Sequence, residues 1–214
     1  MTLEWLIFFD DEKALSHVKA LQNEVQEMFK QPKFEGQQRI VLGGDEVPGS
    51  GSNQKAFVNF MNQLGSNATQ KGYKPQMWND SLRAEGLKSL DKSFSILHWK
   101  QGSYGKADPG PTAKEFTDAG FALYNYNMMT SYFLPGPEYR NKDMGAIAKE
   151  FFEKFDYHTF YENGRSNNQV EDANVKGGAM SFWCEKTGNM HEDDIYKQQH
   201  PIITSYLNAA KNED

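Results

Sequence analysis

Apolar residues recur along this chain at two alternating periods. Leu15, Val18, Leu21, Val25, Met28 and Phe29 fall on one helical face, and Pro32 marks the end of that helix. Arg39 to Leu42, with the apolar run Ile40-Val41-Leu42, then reads as a short strand. Phe57, Phe60, Met61 and Leu64 return to helical spacing. Strand-like runs follow at 75–78, 94–99, 121–126 and 177–183. Helical stretches at 81–90, 111–119 and 144–155 separate them, and a last helix starts at about 193 with Pro201 inside it. Pro111-Thr112 opens one of these helices and Gly120 stops it. One leading helix and five βα units in alternation predict an α/β fold with a parallel sheet. An open doubly wound sheet and a (β/α) barrel both fit this pattern. The segments 100–111 and 156–176 are long and polar, as active-site loops often are. No repeat, low-complexity tract or interdomain linker interrupts the chain, so 1–214 reads as one domain.

Composition narrows the class. A chain of 214 residues can bury a real core. Charged residues make up 24% and hydrophobic ones 38%, a globular balance rather than a disordered one. A net charge of -6 argues against nucleic acid or an anionic membrane surface as partner. No apolar run approaches the ~18 residues of a membrane span. The first nine residues are apolar, but they lack a basic start and run into Asp10-Asp11-Glu12, which makes a poor signal peptide. The sequence therefore assigns no compartment. With Cys184 alone, no disulfide can form within the chain, and its apolar neighbours predict a buried structural thiol. Aromatics are rich, at 15 Phe, 10 Tyr and 4 Trp. They serve a core, and flat rings also stack on the C–H faces of pyranose sugars.

The chemistry concentrates at strand ends. Gly43-Gly44-Asp45-Glu46 follows the run Ile40-Val41-Leu42. The glycines allow a sharp turn and close approach of a ligand. Taken alone, the motif also fits a solvated acidic turn. The later strands end in Trp78-Asn79-Asp80, in His98-Trp99, in Tyr124-Asn125-Tyr126 with Tyr132 beyond, and in Trp183-Cys184-Glu185. In barrels the C-terminal ends of the strands build the site. Acids or large aromatics at five successive strand ends are a stronger signal than any one motif. Asp45 and Glu46 are neighbours and cannot face each other across a glycosidic bond, as a retaining pair ~5–5.5 Å apart does. On extended backbone they point in opposite directions. Such a pair suits two jobs on one substrate, with one acid protonating a leaving oxygen and the other gripping a neighbouring group. This is the logic of substrate-assisted glycoside cleavage.

Gly43-Gly44-Asp45-Glu46, Trp78-Asn79-Asp80, Trp99, a following Tyr and Trp183-x-Glu185 together resemble the family 20 glycoside hydrolases, the β-N-acetylhexosaminidases. The resemblance runs from about Ala14 to the end. It implies the second half of a (β/α)8 TIM-type barrel, strands four to eight preceded by one helix. It implies hydrolysis of terminal non-reducing β-linked N-acetylhexosamine (GlcNAc or GalNAc), with retention, through an oxazolinium intermediate. Glu46 would be the acid and base, and Asp45 would orient the 2-acetamido group. Tyr132, or alternatively Tyr126, would donate to the acetamido oxygen. Trp78 and Trp99 would wall the acetamide, Trp183 would stack under the ring, and Glu185 would accept from sugar hydroxyls. Asp80 fits either a supporting place in that pocket or the N-cap of the next helix. No metal or cofactor is implied, and His98 reads as structural.

Three departures accompany the resemblance. Val41 stands where the family usually has His, and Phe133-Leu134 where it often has Asp. The third is size. A closed barrel takes ~250 residues, and nothing before Ala14 supplies three more strands, one of which would carry a sugar-binding Arg. A piece of a larger enzyme, a self-complementing homo-oligomer or a decayed remnant is expected. Two other readings compete. A non-catalytic glycan-binding or inert half-barrel would keep the aromatic platform without turnover. Diguanylate cyclases also carry Gly-Gly-Asp-Glu, but on a hairpin, and Pro48 and the helix after it do not fit that setting.

Overall fold

The computed structural model describes residues 11–101, 110–153, 155–162 and 166–211. In chain order its helices are α1 (Glu12–Met28), α2 (Gln54–Gln70), α3 (Ala84–Leu87), α4 (Ala113–Asp118), α5 (Met144–Phe152) and α6 (Glu192–Ala210). Its strands are β1 (Arg39–Val41), β2 (Lys74–Trp78), β3 (Ser95–His98), β4 (Ala122–Asn125), β5 (Tyr132–Phe133), β6 (Thr159–Glu162), β7 (Ser166–Gln169), β8 (Val175–Gly178) and β9 (Ser181–Phe182). Strands β1-β2-β3-β4-β8 form one sheet in that order, and every pairing in it is parallel. The expected α/β fold with a parallel sheet is what the chain adopts. The Gly-Gly-Asp-Glu turn ends a parallel strand, not a hairpin, which removes the cyclase reading.

Alternation along each strand divides the sheet into two faces. Met77, Ile96 and Leu123 point to the helical side and are fully buried against Phe57, Met61, Leu64 and Phe116. On the other face the Arg39 guanidinium lies 5.4 Å from the Tyr124 ring centroid, across two intervening strands. A second apolar cluster holds α5 and α6 together behind β5 and β9, around Phe133, Met144, Phe152 and Ile202.

Several expectations change in three dimensions. The fifth strand, expected at 177–183, is two. Gly177, at φ 122°, and Gly178, whose added Cβ would lie 2.6 Å from the Asn125 carbonyl, let the chain press on β4 and then turn away. Ser181 and Phe182 then pair with Tyr132 and Phe133 in a small separate sheet. The polar segment 156–176 holds the antiparallel strand pair β6–β7, while 102–109 of the other expected loop lies outside the described residues. So do the first nine residues, read above as an apolar stretch. The helix expected at 81–90 is the single turn α3, whose N-cap position is Arg83, so Asp80 is no N-cap. Cys184 is exposed rather than buried, because it follows the small sheet on a surface 3₁₀ turn.

The helical face of α1 also turns out rotated. Leu15 and Val18 meet the core, but Leu21, Val25, Met28 and Phe29 are exposed. Gln22 and Gln26 are buried instead. Gln22 Nε2 donates to the Leu64 carbonyl at 3.1 Å, and the Gln26 carbonyl accepts from the Tyr73 hydroxyl at 2.5 Å. Lys19 and Asn23 bond Gln63 and Asn67 across the same contact. Hydrogen bonds of Lys19, Gln22 and Asn23 to α2 accompany this orientation of α1.

His98 is structural, as the sequence suggested. Its ring is fully buried against Phe116 and Phe160, 6.3 and 5.2 Å away between centroids. Burial pushes its pKa down to about 3. The Glu162 carboxylate at 3.7 Å is therefore beside a neutral ring, not in an ion pair.

Two predictions follow from these positions. A His with a depressed folded pKa binds its proton in the unfolded chain first. Its contribution is intact above about pH 6.5 and is lost as pH falls toward 3, at up to ~1.4 kcal/mol per pH unit. Imidazole NMR at pH 5 should find His98 neutral, and a transition of this ring between pH 6 and 7 would overturn the assignment. The second concerns Gly44, at φ 99°, where an added Cβ would lie 3.2 Å from both Met77 Cε and the Trp78 carbonyl oxygen. Gly49 has a similar φ of 79° but open space. Gly44→Ala should cost on the order of 1–3 kcal/mol, and more than Gly49→Ala, in urea unfolding. Equal costs would mean that packing at Gly44 is slack.

Candidate active site

The end of β1 is shaped by three positive φ angles, at Gly43 (80°), Gly44 (99°) and Glu46 (49°). The left-handed backbone at Glu46 breaks the alternation expected for adjacent acids. Asp45 and Glu46 consequently line the same cavity. A left-handed non-glycine residue persists only where its surroundings hold it. Here Glu46 N–H donates to Asp80 Oδ2 at 3.0 Å, and Val47 N–H to Ser81 Oγ at 2.8 Å.

Asp80 works in both directions. Its other oxygen accepts from the Trp99 indole N–H at 3.0 Å. Burial raises its pKa, opposed by the Trp99 and Glu46 N–H groups and by the charge of Lys100. Asn79 joins the same strand ends. Its Oδ1 accepts from Trp99 N–H at 3.1 Å and its Nδ2 donates to the Lys100 carbonyl at 2.6 Å. The segment Trp78-Asn79-Asp80-Ser81 thus ties the ends of β1, β2 and β3 together. Lys100, buried at the end of β3, places Nζ 2.9 Å from Glu46 Oε1.

These strand ends open onto a cavity of about 450 Å³ lined by Asp45, Glu46, Trp78, Trp99, Met128, Tyr132, Leu134, Trp183 and Glu185. Volumes of this size suit a small ligand. The Trp99 and Tyr132 rings are nearly parallel, 4° apart with centroids at 6.0 Å, and Tyr132 meets Trp183 at 5.7 Å. Tyr132 is pushed well above the ordinary phenol pKa, by burial first and then by Asp45, Asp80 and Glu46. Its hydroxyl stays a donor. Glu185 is exposed on the turn after Trp183.

Eight residues were singled out from the sequence, and seven of them meet at this cavity. Tyr126 does not line it. It stands edge-on behind Trp78, 5.0 Å between centroids. Sequence reasoning gave no such role to Met128 and Leu134 in the wall, or to Asn79, Ser81 and Lys100 in the framework. Asn79 and Ser81 flank Asp80 and Lys100 follows Trp99, so adjacency to the motif was the only available signal.

The fold is shared with several solved structures. Dispersin B superposes with a TM-score of 0.79 at 21% identity, covering 95% of this chain and 60% of that one. A GH20 catalytic module of the pneumococcal exo-β-D-N-acetylglucosaminidase StrH gives 0.64 at 18% identity, over 92% of this chain and 49% of that one. The exo-β-N-acetylglucosaminidase of Vibrio harveyi, as its inactive D437A mutant, gives 0.57 at 13% identity, over 93% and 31%. This chain therefore spans 60% or less of each of these three. A comparison with curated proteins finds no match. The pattern of the glycosyl hydrolase family 20 catalytic domain matches residues 2–199, and the chain belongs to that family.

Proposed function

We propose that this chain carries the active site of a β-N-acetylhexosaminidase, which releases terminal non-reducing β-linked GlcNAc or GalNAc from glycans with retention. The observation that carries the reading is the convergence of Asp45, Glu46, Tyr132 and three tryptophans on one cavity. The exo-acting specificity of the StrH and Vibrio harveyi enzymes supports it. In this reading β1, β2, β3, β4 and β8 are strands four to eight of a (β/α)8 barrel.

The proposed steps are those of substrate-assisted cleavage, with each role given to a residue lining the cavity. Protonated Glu46 gives its proton to the glycosidic oxygen as the C1–O bond breaks. The substrate's acetamido oxygen bonds C1 from the opposite face, forming the oxazolinium ion. Asp45 accepts from the acetamido N–H and balances the developing positive charge. Tyr132, held protonated, donates to the acetamido oxygen and aims it. Glu46 as carboxylate then takes a proton from water, whose oxygen attacks C1 and reopens the ring. Trp78 and Trp99 exclude water from the acetamide, Trp183 offers a face to the sugar, and Glu185 accepts from its hydroxyls.

The test is turnover of N-acetyl-β-D-glucosaminides by the chain, with Glu46→Gln and Asp45→Asn beside it. Glu46→Gln should lose about 10²- to 10⁴-fold in kcat on substrates with poor leaving groups. Activity that survives Glu46→Gln unchanged would refute the assignment. Sugar binding without hydrolysis would favour the glycan-binding reading instead. A homo-oligomer belongs to the same proposal. β1 and β8 are the edge strands of the main sheet, and neither has an outer partner among the described residues. Light scattering at micromolar concentration should give at least twice the chain mass, and a monomer would sink this part.

A further inference from the structure

We propose that Lys100 is a positioning residue that sets the carboxylate of Glu46 in the cavity. The inference deepens the hydrolase reading and rests on Glu46 as its acid and base. The two partners of the pair differ sharply in exposure, 3% for Lys100 and 62% for Glu46, with Nζ 2.9 Å from Oε1. The lysine is the fixed anchor and the glutamate is the group that needs one. A buried ammonium is costly unless paired. Here its Nζ also lies 3.8 Å from the Trp99 ring centroid, a cation–π distance.

The same unit grips Glu46 at both ends. Asp80 takes its backbone N–H at 3.0 Å, and Asp80 in turn holds the Trp99 indole at 3.0 Å. Asn79 ties the Lys100 carbonyl at 2.6 Å. Lys100, Trp99 and Asp80 thus form one block, and the Glu46 side chain leans on it. An exposed glutamate at a left-handed turn would otherwise spread over several rotamers, and ordering it costs free energy. The clamp sets the angle from which the proton reaches the leaving oxygen. It does not touch substrate.

The test uses the full chain with Lys100→Met, Lys100→Arg and Glu46→Gln, and two N-acetyl-β-D-glucosaminides that differ in leaving group, 4-nitrophenyl and methyl. Lys100→Met should lower kcat about 10- to 100-fold on the methyl glycoside, with a much smaller loss on the 4-nitrophenyl one. KM should move little, and Lys100→Arg should recover most of the loss. Equal losses on both substrates, or none, would overturn the proposal. Lysine ammonium NMR reads the clamp without turnover. The resonance that disappears in Lys100→Met should shift in Glu46→Gln. If the chain turns over neither substrate, the hydrolase reading fails, and this spectrum alone decides the clamp. A Lys100 signal indifferent to Glu46→Gln ends it.

Discussion

The site depends on one buried carboxylate. Asp80 sits at the end of β2 and accepts from the backbone of Glu46 and the indole of Trp99, at 3.0 Å each. Burying a carboxylate is costly unless N–H groups or a cation compensate. Burial raises the Asp80 pKa, while the two N–H groups and Lys100 pull it back down. Those compensating groups are the ones the site must hold still. The group most expensive to bury thus fixes the turn at β1 and the indole at β3 together.

Around that carboxylate, charge and aromatic surface are divided by strand. β1 brings the acids, on a turn with φ of 80° and 99° at its glycines and 49° at Glu46. β2 and β3 bring Trp78 and Trp99, and the small β5–β9 sheet brings Tyr132 and Trp183. The small sheet places Tyr132 against Trp99, with ring planes 4° apart. It exists because Gly177 and Gly178 let the chain leave the main sheet early. A continuous strand through 183 would have left Tyr132 without its β-bridge partner Ser181.

Much of this architecture was legible in the sequence because it is local. Helical and strand periods are written within single segments, so the alternation and the parallel sheet could be read directly. The Gly-Gly-Asp-Glu motif and the strand-end aromatics were likewise visible as residue types at strand ends. The rotation of α1 was not, because Leu21 and Val25 look like core while Gln22 and Gln26 do not. Contacts with α2 and with Tyr73, more than forty positions away, go with the reversed order.

The sequence by itself determined the order of elements, the family pattern, and the types of side chain delivered to one end of the sheet. Only the tertiary structure decided that Tyr132 rather than Tyr126 enters the cavity, and that Asp80 supports the turn instead of capping a helix. It alone paired Lys100 with Glu46. The physical reason is distance along the chain. Asp80 meets Glu46 across 34 positions and Lys100 meets it across 54. Such pairings arise only where parallel strands bring their ends to a common edge, so no single segment encodes them.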